Sequence, residues 1–537
     1  MISNIYIFII YYVFISLSVI GYGLIFFSFN KNLKISLNFG YAGLTGLLML
    51  CIYSYFSSFF YEHGSTHNLI LIFIGFAYFV FFNLKKIDYH FKVISLFLLI
   101  YFVGILIYKT HDDFPYYHFQ YTYYLTQMPS VLGIGNFNLG FRTPSSIFYL
   151  SSLFYLPKVG YDLIHIAPVF FLGFANFILI EKINFLRKVK KNHFIILLSL
   201  ISLIIINIFF YRMAEHGTDR SAQIIIFLII IELLYFLNTK NIENSFLEKL
   251  FILIVLCISL KSLYVIYLLL FLPILFYQTE KISYLVNLTM NKVFICSTLF
   301  IFLIFGFSVI NTGCAIYPLN LSCFGDLPWS LSEHHVIKAN NHYELWAKGG
   351  MSPNFKVENP LDHIRYFNWV PNWFDIYFFN KVSDYLYSLL FIVVLFMFFF
   401  KGKDQPNIEK RNYKFIYILL LIFFSEWFYN HPSLRYGGYH LIALIIFIPF
   451  CAFLENNINL RSFSKKITIL LILIFTIFVV RNLHRIGKEY NIYEYNVFKN
   501  PSYNKKFENY GMYDVIMKSK NMKTKKFFNR EFLYYQR

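Results

Sequence analysis

Apolar runs of about twenty residues recur along this chain, separated by short charged clusters. They occupy positions 5–29, 39–60, 68–84, 91–108, 159–180, 194–210, 221–237, 246–277, 293–311, 384–400, 413–429, 437–454 and 467–480. A bilayer core of roughly 30 Å needs about 20 apolar residues per helical crossing. In hydrocarbon each backbone polar group must be paired within its own segment, so such runs fold as helices. The expected fold class is all-α, a polytopic integral membrane bundle of about 13–14 transmembrane helices.

The run 246–277 decides the topology. As one helix it would extend about 45 Å. Ser259, Lys261 and Ser262 stand at its middle. A cation is expensive at the bilayer centre and cheap at a surface turn. The run is therefore read as two short crossings that meet at Lys261. That split puts Lys31/Lys34, Lys85/Lys86/Lys92, Lys182/Arg187/Lys188/Lys190/Lys191, Lys401/Lys403/Lys410/Arg411 and Lys465/Lys466 on one side. By the positive-inside rule this side is the cytoplasm. Stretches 62–67, 109–157, 211–220, 312–383 and 430–436 fall on the other side, with both termini. The net charge of +19 then reads as orientation charge rather than as a nucleic-acid footprint. The first run has no basic residue before it and no small-residue cleavage site, so it reads as a retained anchor.

Of the six cysteines, Cys51, Cys257, Cys296 and Cys451 lie in apolar runs and read as inert core thiols. Cys314 and Cys323 share a polar loop and can form a local disulfide if that loop faces an oxidising compartment.

The stretch 109–157 is the expected working part. It opens with His111, Asp112 and Asp113 directly after an apolar run. Adjacent carboxylates at a membrane boundary are costly to desolvate, so they should face water or a polar cavity. Two aromatic-rich runs around a Gly/Asn turn follow, the pattern of short helices lying along the interface. The same external side collects the other ionisable residues that orientation leaves unexplained. These are His118, Arg142, the His216, Asp219 and Arg220 of AEHGTDRS, Lys261, Glu333, His334, His335, and the His431 and Arg435 of HPSLRYGG. A carboxylate among cations on a low-dielectric floor suits activation of a hydroxyl and neutralisation of a phosphate leaving group.

Each residue also has a plainer role. Asp112 or Asp113 can cap the next helix. His118 fits an orienting hydrogen bond, and Arg142 fits an anchor to lipid headgroups. Lys261 can snorkel from a helix end. His334 and His335 fit a solvated loop, Glu426 a structural site, and Arg435 a cavity wall.

The layout resembles the GT-C superfamily of membrane glycosyltransferases. Those enzymes place an acidic residue just after a transmembrane helix, at the start of a long first external loop with two interfacial helices. The segment from Tyr108 through Asp112, Asp113 and Tyr117 to His118 fits that position. A bacterial multi-spanning family is similar in Asp113-x-x-x-Tyr117-His118, in Gly140-Phe-Arg-Thr-Pro-Ser-Ser146, and in Thr312-Gly-Cys-Ala-Ile-Tyr317-Pro318 followed by Cys323-Phe and Trp329-Ser. The resemblance spans residues 108 to 435. It implies extra N-terminal helices in 1–90, a GT-C-like core in 91–480 with external loops 109–158 and 312–383, and an external basic tail in 481–537. That tail is either a small cap or a surface-lying appendage.

The resemblance also implies transfer of a sugar from a polyprenyl-phosphate donor to a glycan or lipid acceptor, among membrane lipids. The implied location is the periplasmic face of a bacterial inner membrane. Asp113 would be the general base and Asp112 its understudy. His118, Arg142, Asp219, Arg220, Lys261 and Arg435 would bind substrate. Mg²⁺ or Mn²⁺ is compatible but not implied. Some GT-C enzymes carry a second acidic motif that is not obvious here; Asp219 is the substitute. Two other classes stay open. A transporter or flippase would want charges near the midplane, where these runs have almost none apart from Lys261. A polysaccharide polymerase or ligase could use Arg365, His334, His335, His342 and His363 of the late external loop.

Overall fold

The computed structural model describes residues 4–29, 38–83, 88–239, 244–277, 290–352, 354–404, 413–503, 522–527 and 530–535. Nine helices among them are long and apolar enough to cross a membrane: Ile5–Phe29, Phe39–Ser58, Ser65–Phe82, Ile164–Val189, Thr218–Thr239, Lys292–Thr312, Val370–Phe400, Gly438–Glu455 and Leu460–Tyr493. Val93–Ile105, His193–Ile208 and Ser262–Phe276 are shorter apolar helices. The chain is a multi-pass helical membrane protein.

Helix ends depart from the apolar runs where polar side chains can still be satisfied. Lys182, Arg187 and Lys188, expected in a loop, extend the Ala167–Val189 helix. Lys182 lies 2.6 Å from Glu232 and 4.3 Å from the Tyr235 ring, so its charge is compensated there. The run expected at 467–480 belongs to one 34-residue helix, Leu460–Tyr493. At 1.5 Å per residue it is about 51 Å long, well beyond a bilayer core. The first part of the expected tail, 481–493, continues this last helix. The rest of the tail includes an antiparallel hairpin, Met522–Phe527 with Arg530–Tyr535. The predicted break at Lys261 is present. The Asn244–Leu260 helix stops, Lys261 is extended at φ −156° and ψ 116°, and a 3-10 turn run follows from Ser262 to Phe271.

The N-terminal helices pack backbone to backbone. A Cβ on Gly21 would lie 1.9 Å from the Gly75 carbonyl oxygen, and one on Gly46 1.8 Å from that of Val19. Small residues permit such approach where hydrophobicity cannot drive helices together. This unit is also tied to the loop 109–157. His63 bridges Ser57 at 2.8 Å and Ser152 at 2.7 Å, and Ser54 donates to the Tyr149 carbonyl at 2.8 Å.

Contacts sort the helix ends onto two faces. At one, Arg187 donates to Thr468 at 2.9 Å, Lys466 to the Phe399 carbonyl, and the Phe194 N–H to Glu455 at 3.0 Å. At the other, the His111 N–H meets the Glu215 carbonyl at 3.3 Å, beside the Thr218–Thr239 helix start. Lys31, Lys34, Lys85, Lys86, Lys410 and Arg411 lie outside the described residues.

The late loop, from 313 on, carries a Cys314–Cys323 disulfide. His334 and His335, expected in a loop, begin the Glu333–Ala347 helix, which supplies the turn with an acidic first residue. Cys51, Cys257 and Cys451 are buried, but Cys296 is exposed, so it is no core thiol. It lies on the exposed flank of a span with few buried residues.

Candidate functional site

Four chain segments converge on Asp219. Thr218–Thr239 begins just after Gly217, whose missing Cβ would lie 2.2 Å from Pro168. That close packing fixes where the helix starts, and Asp219 stands in its first turn, where the helix dipole favours an anion. Lys261 comes from the helix break. The extended backbone there carries its ammonium onto Asp219 Oδ1. The break leaves carbonyls unpaired within the helix. Ser146, from the loop 109–157, donates to one of them, the Ser259 carbonyl, at 2.8 Å.

Arg435 enters from HPSLRYGG. Its backbone carbonyl accepts from Gln223 at 2.8 Å, which fastens the loop to the Asp219 helix. Its Nε lies 3.2 Å from Asp219 Oδ2 and its Nη2 4.0 Å from Asp113 Oδ2. Tyr436 floors both cations, with its ring centroid 4.3 Å from Lys261 Nζ and 5.0 Å from the Arg435 guanidinium carbon.

Asp113 follows the Asp88–Ile105 helix and faces this cluster. Tyr117 donates to its Oδ2 at 3.4 Å. Its backbone N–H donates to His111 Nδ1 at 3.1 Å, which requires that nitrogen to be an acceptor in the neutral ring. Burial lowers the His111 pKa, with Asp113 opposing, in keeping with that neutral form. Once protonated, His111 would pair instead with Asp113 Oδ2, 3.3 Å away. Asp113 occupies the N-cap position of the following turn but makes no side-chain cap hydrogen bond, so the capping role is not what holds it.

The two carboxylates are not equivalent. Asp219 is engaged by two cations and its side chain is 14% exposed, against 33% for Asp113. Asp113 is thus the more accessible carboxylate, and Asp219 the one paired with both cations. Asp112 is exposed. His118 sits behind the cluster, against Phe148 at 5.1 Å, with Nε2 buried and unpartnered. Burial pushes its pKa down to about 3, so the ring is neutral. It makes no orienting hydrogen bond through that nitrogen.

Arg142 and Arg220 lie apart from these contacts. Arg142 is buried, donating to the Gly135 carbonyl at 2.9 Å and to the Tyr317 hydroxyl at 3.0 Å. It locks the first loop to the disulfide loop, which corrects the lipid-anchor expectation. Arg220 lies over the Phe210 ring at 5.6 Å. The side chain of His216 lies outside the described residues. Glu426 accepts from Asn430 at 3.2 Å within its own helix.

No group of three or more His, Cys, Asp or Glu side chains among the described residues is arranged to hold a metal. Asp113 and Asp219 meet at the Arg435 guanidinium, not around a vacant cation seat.

Sequence reading missed Tyr117, Tyr436 and Gln223 as parts of the site. Tyr117 and Tyr436 adjoin His118 and Arg435, so proximity in sequence was the available signal. Gln223 lies four residues after Asp219, one helical turn along the same face.

The fold and this cluster define a class: a multi-pass helical membrane protein with a polar site of paired carboxylates and cations where helix ends meet the loop that follows the Asp88–Ile105 helix. A family model described as a domain of unknown function, DUF8201, matches residues 5–443, and the chain belongs to that family. The match takes in the N-terminal helices and all four segments of the cluster. No curated protein and no solved structure matches the chain.

Proposed function

We propose that this protein is an integral membrane glycosyltransferase of GT-C type. It moves a sugar from a polyprenyl-phosphate-linked donor to a glycan or lipid acceptor at the non-cytoplasmic face, in assembly of a cell-surface glycan. The observation that carries the reading is the placement of Asp113, partly open, against Arg435 and its partner Asp219–Lys261 pair. In this reading Asp113 takes the proton of the acceptor hydroxyl. The freed oxygen attacks the anomeric carbon as the carbon–oxygen bond to phosphate breaks. Arg435 and Lys261 meet the charge that builds on the departing phosphate. Asp219 keeps those cations aimed when no substrate is present.

The polymerase reading draws less support. Arg365 is exposed and stacks on Tyr366 at 5.1 Å, and His363 faces the Lys348 carbonyl at 3.2 Å. The deciding experiment is a surface-glycan profile of a deletion strain complemented with wild type, Asp113→Asn or Arg365→Gln. Loss of the glycan with Asp113→Asn and retention with Arg365→Gln is the expected result. Retention with Asp113→Asn would remove the assignment.

A further inference from the structure

A cleft of about 670 Å³ separates the His193–Ile208, Ser383–Phe400 and Leu460–Tyr493 helices. Its walls are almost wholly apolar, with Ile204, Leu395, Ile474 and Ile477 among them, and Arg481 is its one charged lining residue. The cleft opens sideways: Tyr387 and Phe391 on its rim are 71% and 67% exposed. It runs from Leu470 to Arg481 along the last helix, about 16 Å. Leu470 and Phe399 mark the end where Lys466 reaches the Phe399 carbonyl. Arg481 marks the other end, where it donates to the Ile208 carbonyl and lies over the Tyr211 ring at 4.0 Å.

Such a space cannot stay empty in a bilayer. Its lining would forfeit dispersion contacts, and water would find too few polar partners there. An acyl chain is the apolar filler that surrounds every membrane helix. Arg481 adds the second requirement. It has five N–H donors, and the partners it meets, the Ile208 carbonyl and the Tyr211 ring, carry no formal charge. A cation at the head end of an apolar slot matches an amphiphile whose head is an anion, since basic sites between membrane helices take acidic headgroups.

We infer that this cleft seats one anionic phospholipid of the surrounding bilayer, its tail between the three helices and its phosphate on Arg481. The cleft shares no lining residue with the Asp113–Asp219–Lys261–Arg435 cluster, so the inference stands apart from the proposed transfer reaction.

The test is native mass spectrometry of the full-length protein in detergent, titrated with phosphatidylglycerol, phosphatidylcholine or a polyprenyl phosphate. Wild type is expected to hold one phosphatidylglycerol at least fivefold more tightly than phosphatidylcholine. Arg481→Gln should erase that preference, Arg481→Lys should keep most of it, and Leu473→Trp, which narrows the slot, should weaken both lipids. Equal binding of the two lipids by wild type, or an undiminished preference in Arg481→Gln, would overturn the inference. So would displacement of phosphatidylglycerol by an equimolar polyprenyl phosphate, which would make the cleft a donor seat.

Discussion

Arg485, in the last long helix, donates from Nη2 to the Leu106 carbonyl, 2.6 Å away and 379 positions earlier in the chain. The same guanidinium pairs with Glu489 at 3.1 Å, and Glu489 accepts the Tyr108 N–H at 2.9 Å. This buried staple grips the backbone just before Asp113. Removing one member leaves the other charged and buried, a cost on the order of 3–5 kcal/mol. Arg485→Met should lower the unfolding midpoint of the detergent-solubilised protein by several degrees. The double variant Arg485→Met/Glu489→Leu should recover part of that loss. A double variant no better than the single would show that the pair is not a unit.

Asp113→Asn keeps the shape of the side chain and removes its basicity. Transfer should fall by about 10²–10⁴-fold, the usual range for a general base. Asp112→Asn should retain most activity, because Asp112 is exposed. Both variants should insert and unfold as wild type does. The comparison is made by initial rates in proteoliposomes. Equal losses in the two would mean that the pair acts jointly.

Asp219 separates two cations, so its loss should be worse than the loss of a pair. Asp219→Asn leaves Lys261 and Arg435 facing each other with only the more distant Asp113 carboxylate, 4.0 Å from Arg435, to offset them. Adding Lys261→Met should relieve this, with a coupling on the order of 1–3 kcal/mol. A double-mutant cycle on unfolding free energy reads it directly. Strict additivity would mean that the three side chains do not communicate.

Stability should decline on acidification for a reason local to the first loop. His118, and likewise His63, have folded pKa values near 3, lowered by burial from the usual 6.5. Their folded pKa lies below the unfolded one. The unfolded chain therefore gains protons first, and stability falls as pH drops from about 6.5 toward 3. His118→Phe should flatten part of this decline between pH 6.5 and 4. An unchanged slope in thermal melts would show that His118 is protonated within the fold.

The Cys314–Cys323 bond closes a short loop beside the end of the Lys292–Thr312 helix. Alkylation before reduction should label Cys296 and spare this pair, and alkylation after reduction should label all three. Cys314→Ser/Cys323→Ser should lose about 2–4 kcal/mol of stability. Free thiols at both positions in protein taken directly from cells would place the loop in a reducing compartment.

The membrane class was readable because bilayer thickness sets a minimum apolar length for a crossing, and most of the apolar runs reach it. The break at Lys261 was readable for the same reason: a charge at mid-run needs a surface. Helix ends were not readable where polar side chains find partners. Lys182 continues a helix because Glu232 meets it, and that contact joins residues fifty positions apart. Sequence placed Asp113 ahead of Asp112 only through the resemblance, because the two are alike in type and place; in the structure the reach of Arg435 and Tyr117 to Asp113 tells them apart. The continuation of the last helix past 480 was not readable because the partners of Arg485 and Glu489 lie near residue 107.

The cluster joins positions 113, 219, 261 and 435, so ribosomal synthesis delivers its members one after another. Asp219 emerges before either of its cations, and Arg435 arrives only when most of the chain has been inserted. A nascent intermediate must therefore park an unmatched carboxylate at the water boundary until its partners arrive. Chains that terminate early would retain that mismatch, which is a mark by which quality-control proteases could tell unfinished copies from complete ones.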